Sequence, residues 1–290
     1  MRIMAICIAV LLYSLKSKAQ VEPGELTTLF AFQVNGIDDF FERFDFKKNT
    51  SFQNFVKKNY EGYELTRKKI IANLFNLKNV DLNIADINDF ISCVADSIHP
   101  QFMKYRDKDW YAELRCKVFY KNQPKKLTLI LKVEQSAQNT FRWSVASVRA
   151  DFLNYKHSKV DSNINSRLNE ALKSDTIRST KYFLSPVSHG LDFMDIDNVF
   201  INKTHVNDYI YFGPRSFELN KLILQIQKSE IKFVQVNSIR YHLLQVDGWV
   251  LTVDYFERNE MNSGWLVSKL VKSDEKQKEE YLLSKLNVLK

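Results

Sequence analysis

Residues 110–133 decide the fold and read WYAELRCKVFYKNQPKKLTLILKV. Apolar side chains alternate with polar ones from Trp110 to Tyr120, and a period of two places alternate side chains on opposite faces of a strand. Leu127 to Val133 and Phe141 to Val145 continue this alternation after turns at Asn122-Gln123-Pro124 and Gln138-Asn139. The stretch therefore predicts a three-stranded antiparallel meander with one buried face, and Glu113, Arg115 and Lys117 on the other.

The segment before this meander has a helical pattern. Between Ile37 and Ile98, apolar residues recur at spacings of three and four, as they do along one face of a helix. Residues 49–51, with the sequence Asn-Thr-Ser, and Asp86 are predicted to cap two of these helices. His99-Pro100 ends the last of them, because the residue before a proline avoids the α region.

A second block has the same order of elements. Helical patterns over residues 191–226 precede an alternating stretch from Ile231 to Val246. Asp247-Gly248 is a strong hairpin signal, and turns there and at residues 262–264 separate two further strands. The sequence thus predicts an α+β fold in which helices are followed by a bent antiparallel meander of three to four strands, a plan repeated twice.

These patterns divide the chain into five parts. We expect a signal peptide (1–19), a first α+β domain (34–153), a polar connector with a short helix (154–185), a second α+β domain (186–273) and a C-terminal amphipathic helix (274–290). The amphipathic helix could pack on its own domain, dock on a partner or mediate assembly as a structural subunit.

The first residues predict export. Arg2 precedes a nearly unbroken apolar run from Ile3 to Leu15, which is too short to cross a bilayer and suits the core of a signal peptide. Ser17 and Ala19 occupy the positions that a signal peptidase reads, so cleavage is expected between Ala19 and Gln20. The mature chain is then periplasmic, surface-associated or secreted, and no later apolar run is long enough to form a transmembrane segment.

The charge pattern limits the classes of binding partner, and the cysteine content leaves two states open. The chain has 42 basic and 34 acidic residues, a net charge of +8, and loss of Arg2, Lys16 and Lys18 with the signal peptide leaves +5. Its basic residues form scattered pairs without interleaved aromatic residues, so the sequence predicts no nucleic-acid partner. Cys93 and Cys116 could form a disulfide in an oxidising compartment or remain buried free thiols.

The arrangement of elements resembles a known superfamily. Helices followed by a bent meander, with His99-Pro100 at its entrance, are similar to the cystatin-like cone of the nuclear-transport-factor-two-like superfamily, here possibly in tandem. The second block, with SHGLDFM at 188–194 and QVDGW at 245–249, also resembles uncharacterised exported proteins of Bacteroidetes-type bacteria. The resemblance implies a cone fold, and that superfamily includes isomerases, dehydratases and non-catalytic binding domains.

Candidate ligand-binding residues cluster in the second block. Gln235, Asn237 and Tyr241 share one predicted strand face with apolar residues, as the wall of a small-ligand pocket would, although a partner-facing edge strand has the same pattern. His189, Tyr241 and Asp254 are the acid–base candidates if the second domain is a small enzyme. The candidate ligand-binding residues are therefore His189, Asn237, Tyr241 and Asp254.

Catalytic and metal signatures are weak. His189, Asp192, Asp195 and Asp197 carry ligand-type side chains, but their spacing matches no recognised metal site. The sequence has no Gly-rich phosphate loop, nucleophile elbow, His-Glu-x-x-His or Cys-x-x-Cys motif. We therefore expect an exported, non-enzymatic module that binds an unknown protein or small molecule and uses no cofactor or metal. The alternative is a small cone-fold enzyme with isomerase- or dehydratase-like acid–base chemistry in a pocket of the second domain.

Overall fold

The computed structural model describes residues 31–62, 64–135, 141–153, 181–185 and 193–289. The expected signal cleavage between Ala19 and Gln20, most of the polar connector and His189 lie outside these ranges. The described elements that precede the first strand are α1 (Ile37–Phe44), α2 (Ser51–Asn59), α3 (Arg67–Asn73) and α4 (Ile84–Val94). Thus the helical pattern before the meander is confirmed.

Local signals explain where these helices begin. The Thr50 side chain accepts a hydrogen bond from the Gln53 backbone N–H, so the predicted cap of α2 is confirmed. The cap of α4 is Asn83, whose side chain accepts from the Ala85 backbone N–H. Asp86, predicted as this cap, lies instead in the first turn, where its carboxylate favours the positive end of the helix dipole.

The first meander has the predicted order. It comprises β1 (Trp110–Tyr120), β2 (Gln123–Gln135) and β3 (Phe141–Arg149), and all neighbours are antiparallel. The first turn lies one residue earlier than predicted, at Lys121 and Asn122, both of which have positive φ. Two consecutive positive φ values are typical of the tight hairpin turns that match strand twist.

The second half begins with short helical turns. A 3₁₀ turn (Met194–Asp197), α5 (Asn198–Ile201), a second 3₁₀ segment (Lys203–Tyr209) and α6 (Phe217–Gln227) precede its strands. The strands are β4 (Ile231–Leu243), β5 (Trp249–Phe256) and β6 (Gly264–Lys272). Gly248, with φ of 76°, lies in the predicted turn between β4 and β5.

All six strands form one antiparallel sheet in the order β3-β2-β1-β4-β5-β6. The two meanders meet at β1 and β4, which pair from Trp110 opposite Leu243 to Tyr120 opposite Ile231. Each of these strands would otherwise be an exposed edge with unpaired N–H and C=O groups, and their pairing satisfies both. The described residues therefore form an α+β fold with one six-stranded sheet, while the five-part division and the repeat remain predictions.

The two faces of the sheet have different coverings. On the face that we call the inner face, the helices and both meanders share one hydrophobic core. Its centre is aromatic, with ring centroids 4.6 Å apart for Trp110 and Trp143 and 5.0 Å apart for Tyr241 and Trp265. Because large side chains from both meanders fill this space, the predicted buried face of the first meander is confirmed.

The opposite face, which we call the outer face, is partly covered by the C-terminal segment. Helix α7 (Glu275–Tyr281) continues as one π-helical turn (Leu282–Leu286), and Asp274 and Gln277 form a capping box at its start. Leu282, Leu286 and Val288 are buried against the outer face. Across the described part of the chain, no helix combines the length and apolarity that a membrane span requires.

Candidate functional site

The structure separates the predicted ligand-binding residues. Asn237 is exposed and its side-chain oxygen accepts a hydrogen bond of 2.9 Å from the Gln235 amide. Tyr241 is fully buried in the inner-face core, and burial raises the pKa of its hydroxyl well above the usual value. Asp254 lies on the outer face, opposite Arg240 in the β4–β5 register. His189 lies outside the described residues, so no described pocket joins these four residues.

Two β-bulges in β4 explain why the predicted strand face is not continuous. Val236 pairs with Cys116 and Ser238 pairs with Arg115, so Asn237 is an extra residue between them. Val234 is a second extra residue, between Phe233 and Gln235. Each bulge shifts the alternation by one residue, and Gln235 and Asn237 consequently do not face inward with Tyr241.

Among the described residues, neither the cysteines nor the predicted metal-ligand candidates belong to a cluster of functional side chains. Cys93 on α4 is half-buried, Cys116 on β1 is buried, and both are free cysteines. Asp195 and Asp197 lie in a 3₁₀ turn, while His189 and Asp192 lie outside the described ranges. Within those ranges, His, Cys, Asp and Glu side chains form no group of three or more that could hold a metal ion.

A charged cluster on the outer face was not predicted from the sequence. Glu113 of β1 is buried and accepts hydrogen bonds from Arg115 Nε at 3.1 Å and Arg149 Nη2 at 2.9 Å. His242 of β4 is also buried; its Nε2 is 3.5 Å from Glu113 Oε2, and its Nδ1 is 2.7 Å from the Tyr281 hydroxyl. We call Glu113, Arg149, His242 and Tyr281 the buried charge cluster; it joins β1, β3 and β4 to α7.

Burial and neighbouring charges shift the pKa values of Glu113 and His242 in opposite directions. Burial alone would raise the pKa of Glu113, but His242, Arg149 and Arg115 outweigh it and lower that pKa to about 2. Burial also lowers the pKa of His242, and the neighbouring Glu113 only partly offsets this effect. At neutral pH the cluster thus holds an ionised Glu113, the cationic Arg149 and a neutral His242, with the more exposed Arg115 beside it, and this arrangement stabilises the packing of α7.

Stability is expected to fall with acidification through this cluster. A folded-state pKa below the unfolded value means that the unfolded chain takes up the proton first, so the stabilisation is lost as pH falls. His242 loses its contribution below its ordinary pKa of 6.5, and Glu113 loses its contribution between 4.5 and about 2. We expect His242→Gln to show a smaller decrease in melting temperature from pH 7.5 to 5.5 than the unaltered chain.

The control for this experiment is His99→Gln, because His99 is exposed and lies away from the cluster. It should retain the full decrease in melting temperature between the two pH values. If His242→Gln loses as much stability on acidification as the unaltered chain does, His242 is not the group that titrates.

An apolar cleft lies between the N-terminal helices and the loop that joins β5 to β6. It has a volume of about 510 Å³, which is within the range of small-ligand pockets. Most of its described lining is apolar or aromatic, and we call it the helical cleft; these apolar lining residues are Phe32, Phe52, Val56, Tyr60, Leu65, Ile70, Leu74 and Met261. The ring of Phe32 meets those of Phe52 and Tyr60 edge to face, with centroids 5.3 and 6.0 Å apart.

Three of the four amide or charged side chains in the wall of the helical cleft already have partners. Arg43 is buried, forms a bidentate pair with Asp39 and donates to the backbone carbonyls of residues 31–33. Asn262 donates to the carbonyls of Asn73 and Phe75 and accepts from the Leu77 N–H. Glu260 pairs with Lys78. A ligand here would therefore meet mostly apolar surface, and both charged side chains of the wall, Arg43 and Glu260, are already paired.

A larger neighbouring cleft, of about 660 Å³, shares Arg43 and Phe52 but has a different chemistry. Its lining includes Asp38, Asp39 and Glu42. Asp39 is engaged by Arg43 and Glu42 by Lys47, so two of these carboxylates are already neutralised within the fold. The helical cleft is the better candidate for a ligand because apolar contact area provides most of the affinity in small-molecule sites.

Comparison of the chain with models of known protein families, with curated proteins and with solved structures finds no match. The helical cleft and the buried charge cluster are therefore interpreted from their chemistry. Sequence reasoning missed both because their residues come from distant segments. One signal was available, because Glu113 lies on β1 between Ala112 and Leu114, whose side chains face the inner core. A carboxylate at such a position becomes buried when a later element covers the outer face.

Proposed function

We propose that this protein is an exported, non-enzymatic binding protein that holds an uncharged, largely apolar small molecule in the helical cleft. The observation that carries this proposal is the cleft itself: about 510 Å³, mostly apolar and aromatic, with the polar groups of Arg43 and Asn262 paired internally. A charged ligand would lose its hydration there without gaining a partner, whereas an aromatic or aliphatic group would gain contact area.

The alternative, a small enzyme with its site in the second half, has less support. Acid–base catalysis needs two titratable groups that converge on one substrate position. Tyr241 is fully buried in the core and has a raised pKa, while Asp254 faces the other side of the sheet and pairs with Arg240 at 2.8 Å. No site in this proposal uses a metal or cofactor.

Export and family are also part of the proposal. The apolar run from Ile3 to Leu15 and the small residues before Gln20 support delivery to the periplasm, the cell surface or the medium. The tandem nuclear-transport-factor-two-like plan draws support from the order of elements, since helices precede each three-strand meander. A ligand-binding role is compatible with that superfamily, whose members include non-catalytic binding domains.

A fluorescence titration tests the helical cleft. N-phenyl-1-naphthylamine is uncharged and becomes fluorescent in apolar surroundings, so we expect it to bind the full chain with saturable enhancement. Met261→Glu, at the rim of the cleft and 53% exposed, should weaken this binding about tenfold, because the ligand would bury an unpaired carboxylate. The fold should be little affected, since the new side chain remains hydrated in the free protein.

Leu224→Glu provides the matched control, because Leu224 is a similarly exposed apolar residue (46%) on α6, outside the lining of the cleft. It should bind the dye as tightly as the unaltered chain does. Equal weakening by both variants, or saturable binding that neither changes, would show that the dye binds elsewhere and would remove the support for the cleft.

A further inference from the structure

Beside the C-terminal segment, a part of the outer face that no other described segment covers carries a group of basic residues from three neighbouring strands. Lys117 of β1 lies directly opposite Lys126 of β2. Arg115, two residues before Lys117, lies opposite Thr128, and Thr128 in turn lies opposite Arg149 of β3. Residues two apart on a strand, or opposite on adjacent strands, have side chains about 5–7 Å apart on the same face. We call Arg115, Lys117, Lys126 and Arg149 the basic face.

These basic groups retain unused charge. The side chains of Arg115 and Arg149 are 56% and 42% exposed; each binds Glu113 through one nitrogen, so one carboxylate faces two guanidinium groups. Lys117 and Lys126 are exposed, and neither forms an ion pair in the part of the chain that the structure describes. Four positive charges against the single negative charge of Glu113 leave this face at +3.

The fold tolerates an unfavourable arrangement here. Like charges directly opposite each other on neighbouring strands destabilise a sheet, and Lys117 and Lys126 form such a pair. On the far side of β1, the residues opposite Arg115 and Lys117 are the neutral Ser238 and Gln235, so β4 provides no compensating acid. An external anion that bridges the two lysines would remove this repulsion.

We propose that the basic face binds an acidic polysaccharide through its repeated sulfate or carboxylate groups. The cations lie on rigid strands at short, regular spacings, which suits a linear polymer with one acidic group on each sugar or disaccharide. Phe119, 38% exposed, follows Lys117 on the same side of β1 and offers a ring for the apolar face of one sugar. This site is separate from the helical cleft and goes beyond the proposed function.

The geometry favours a polysaccharide over a nucleic acid. These residues lie on the face of a six-stranded sheet in which β1 and β2 are interior strands, so the surface presents no helix or isolated two-stranded ribbon that could enter the major groove of a duplex. Single-stranded nucleic acids are held by aromatic side chains that stack on successive bases, and one ring beside Lys117 does not provide such a series. What remains is recognition of charge at a regular spacing, which needs no base contacts.

Binding of the full chain to heparin and to polygalacturonate tests the proposal and distinguishes sulfate from carboxylate recognition. We expect binding of at least one polymer at about 50 mM salt, weakened roughly tenfold or more at about 200 mM. Lys117→Glu should weaken this binding about tenfold, because the reversed charge repels the polymer and pairs with Lys126. That new cross-strand ion pair should leave the melting temperature unchanged or higher, so lost binding cannot be ascribed to unfolding.

Lys57→Glu on α2 is the matched control, since Lys57 is exposed and the variant has the same net charge as Lys117→Glu. It should reduce the affinity less than twofold. Lys126→Glu reverses the charge of the other lysine in the pair and should weaken binding as Lys117→Glu does. It tests the same site if Lys117→Glu folds poorly. Equal losses in both Lys57→Glu and Lys117→Glu, or no polysaccharide binding at low salt, would overturn the proposal. Duplex DNA bound as tightly as heparin, with the same loss in Lys117→Glu, would overturn its choice of polymer.

Discussion

Deletion of residues 274–290 is expected to abolish cooperative folding. The C-terminal segment buries Leu282, Leu286 and Val288 against the outer face, where they cover Tyr111 and Val250. Burial of an aliphatic side chain of this size contributes roughly 1.5–3 kcal/mol, so the three together contribute about 4.5–9 kcal/mol. That is comparable with the whole stability of a typical domain, about 5–15 kcal/mol. Loss of the segment also exposes the buried charge cluster, since Tyr281 is one of its members.

Chemical unfolding followed by circular dichroism would measure this effect, and a pair of point variants refines it. Leu286→Ala removes a fully buried side chain and should cost about 2–5 kcal/mol. Leu283→Ala, in the same turn but 52% exposed, should change stability by less than about 0.5 kcal/mol. If the truncated chain melts as the full chain does, the segment is not part of the fold, and a role in assembly with a partner becomes the better interpretation.

The elements of this fold were predictable where the pattern is local. The alternation in β1 and the Asp247-Gly248 turn follow from the side-chain period and from turn chemistry, which act within a few residues. The cap of α2 at Thr50 likewise depends on one hydrogen bond to Gln53. Errors arose at helix ends: Asn83 and not Asp86 caps the start of α4, and α4 ends at Val94, several residues before the stop predicted at His99-Pro100.

The pairing of β1 with β4 was not predictable from these patterns. Taken alone, each predicted meander leaves one edge strand without a partner, β1 in the first and β4 in the second. The alternation of side chains does not specify whether such an edge meets solvent, another chain or the other meander. The bulges at Val234 and Asn237 depend on this pairing, because an extra residue is defined only against a partner strand. The prediction that Asn237 and Tyr241 share one face of the strand was wrong for that reason.

Both candidate sites also depend on distant contacts. By alternation alone, Glu113 belongs to the solvent-facing side of β1, and it is buried only because the chain returns some 170 residues later to cover it. The helical cleft combines residues near Phe32 and Phe52 with Met261 of the β5–β6 loop. The basic face joins Lys117 and Lys126 across a hairpin, whereas in the sequence they look like ordinary solvated charges.

Gly264→Ala is expected to be among the most destabilising single substitutions in the chain. Gly264 begins β6 with φ of 87°, a conformation that L side chains rarely adopt, and strain of this kind costs about 1–2 kcal/mol. A Cβ there would also be 2.1 Å from the Val34 carbonyl oxygen, a backbone atom that cannot rotate away. The same oxygen accepts a 2.9 Å hydrogen bond from the Trp265 N–H, and the Val34 N–H donates to the backbone carbonyl of Ser263 at 3.1 Å. We expect a total loss of about 3–5 kcal/mol, because relief of the clash breaks both hydrogen bonds.

Gly248→Ala separates the two causes, since Gly248 has a similar φ of 76° but no atom within 4 Å of the position of a Cβ. It should cost only about 1–2 kcal/mol, the strain of the left-handed conformation alone. Equal losses in urea unfolding would mean that the contact between β6 and Val34 contributes nothing. A larger loss for Gly264→Ala would show that this contact fixes the chain around residues 31–34. Because Phe32 lines the helical cleft and Arg43 binds the Phe32 carbonyl, the same variant should also weaken binding of N-phenyl-1-naphthylamine, whereas Gly248→Ala should not.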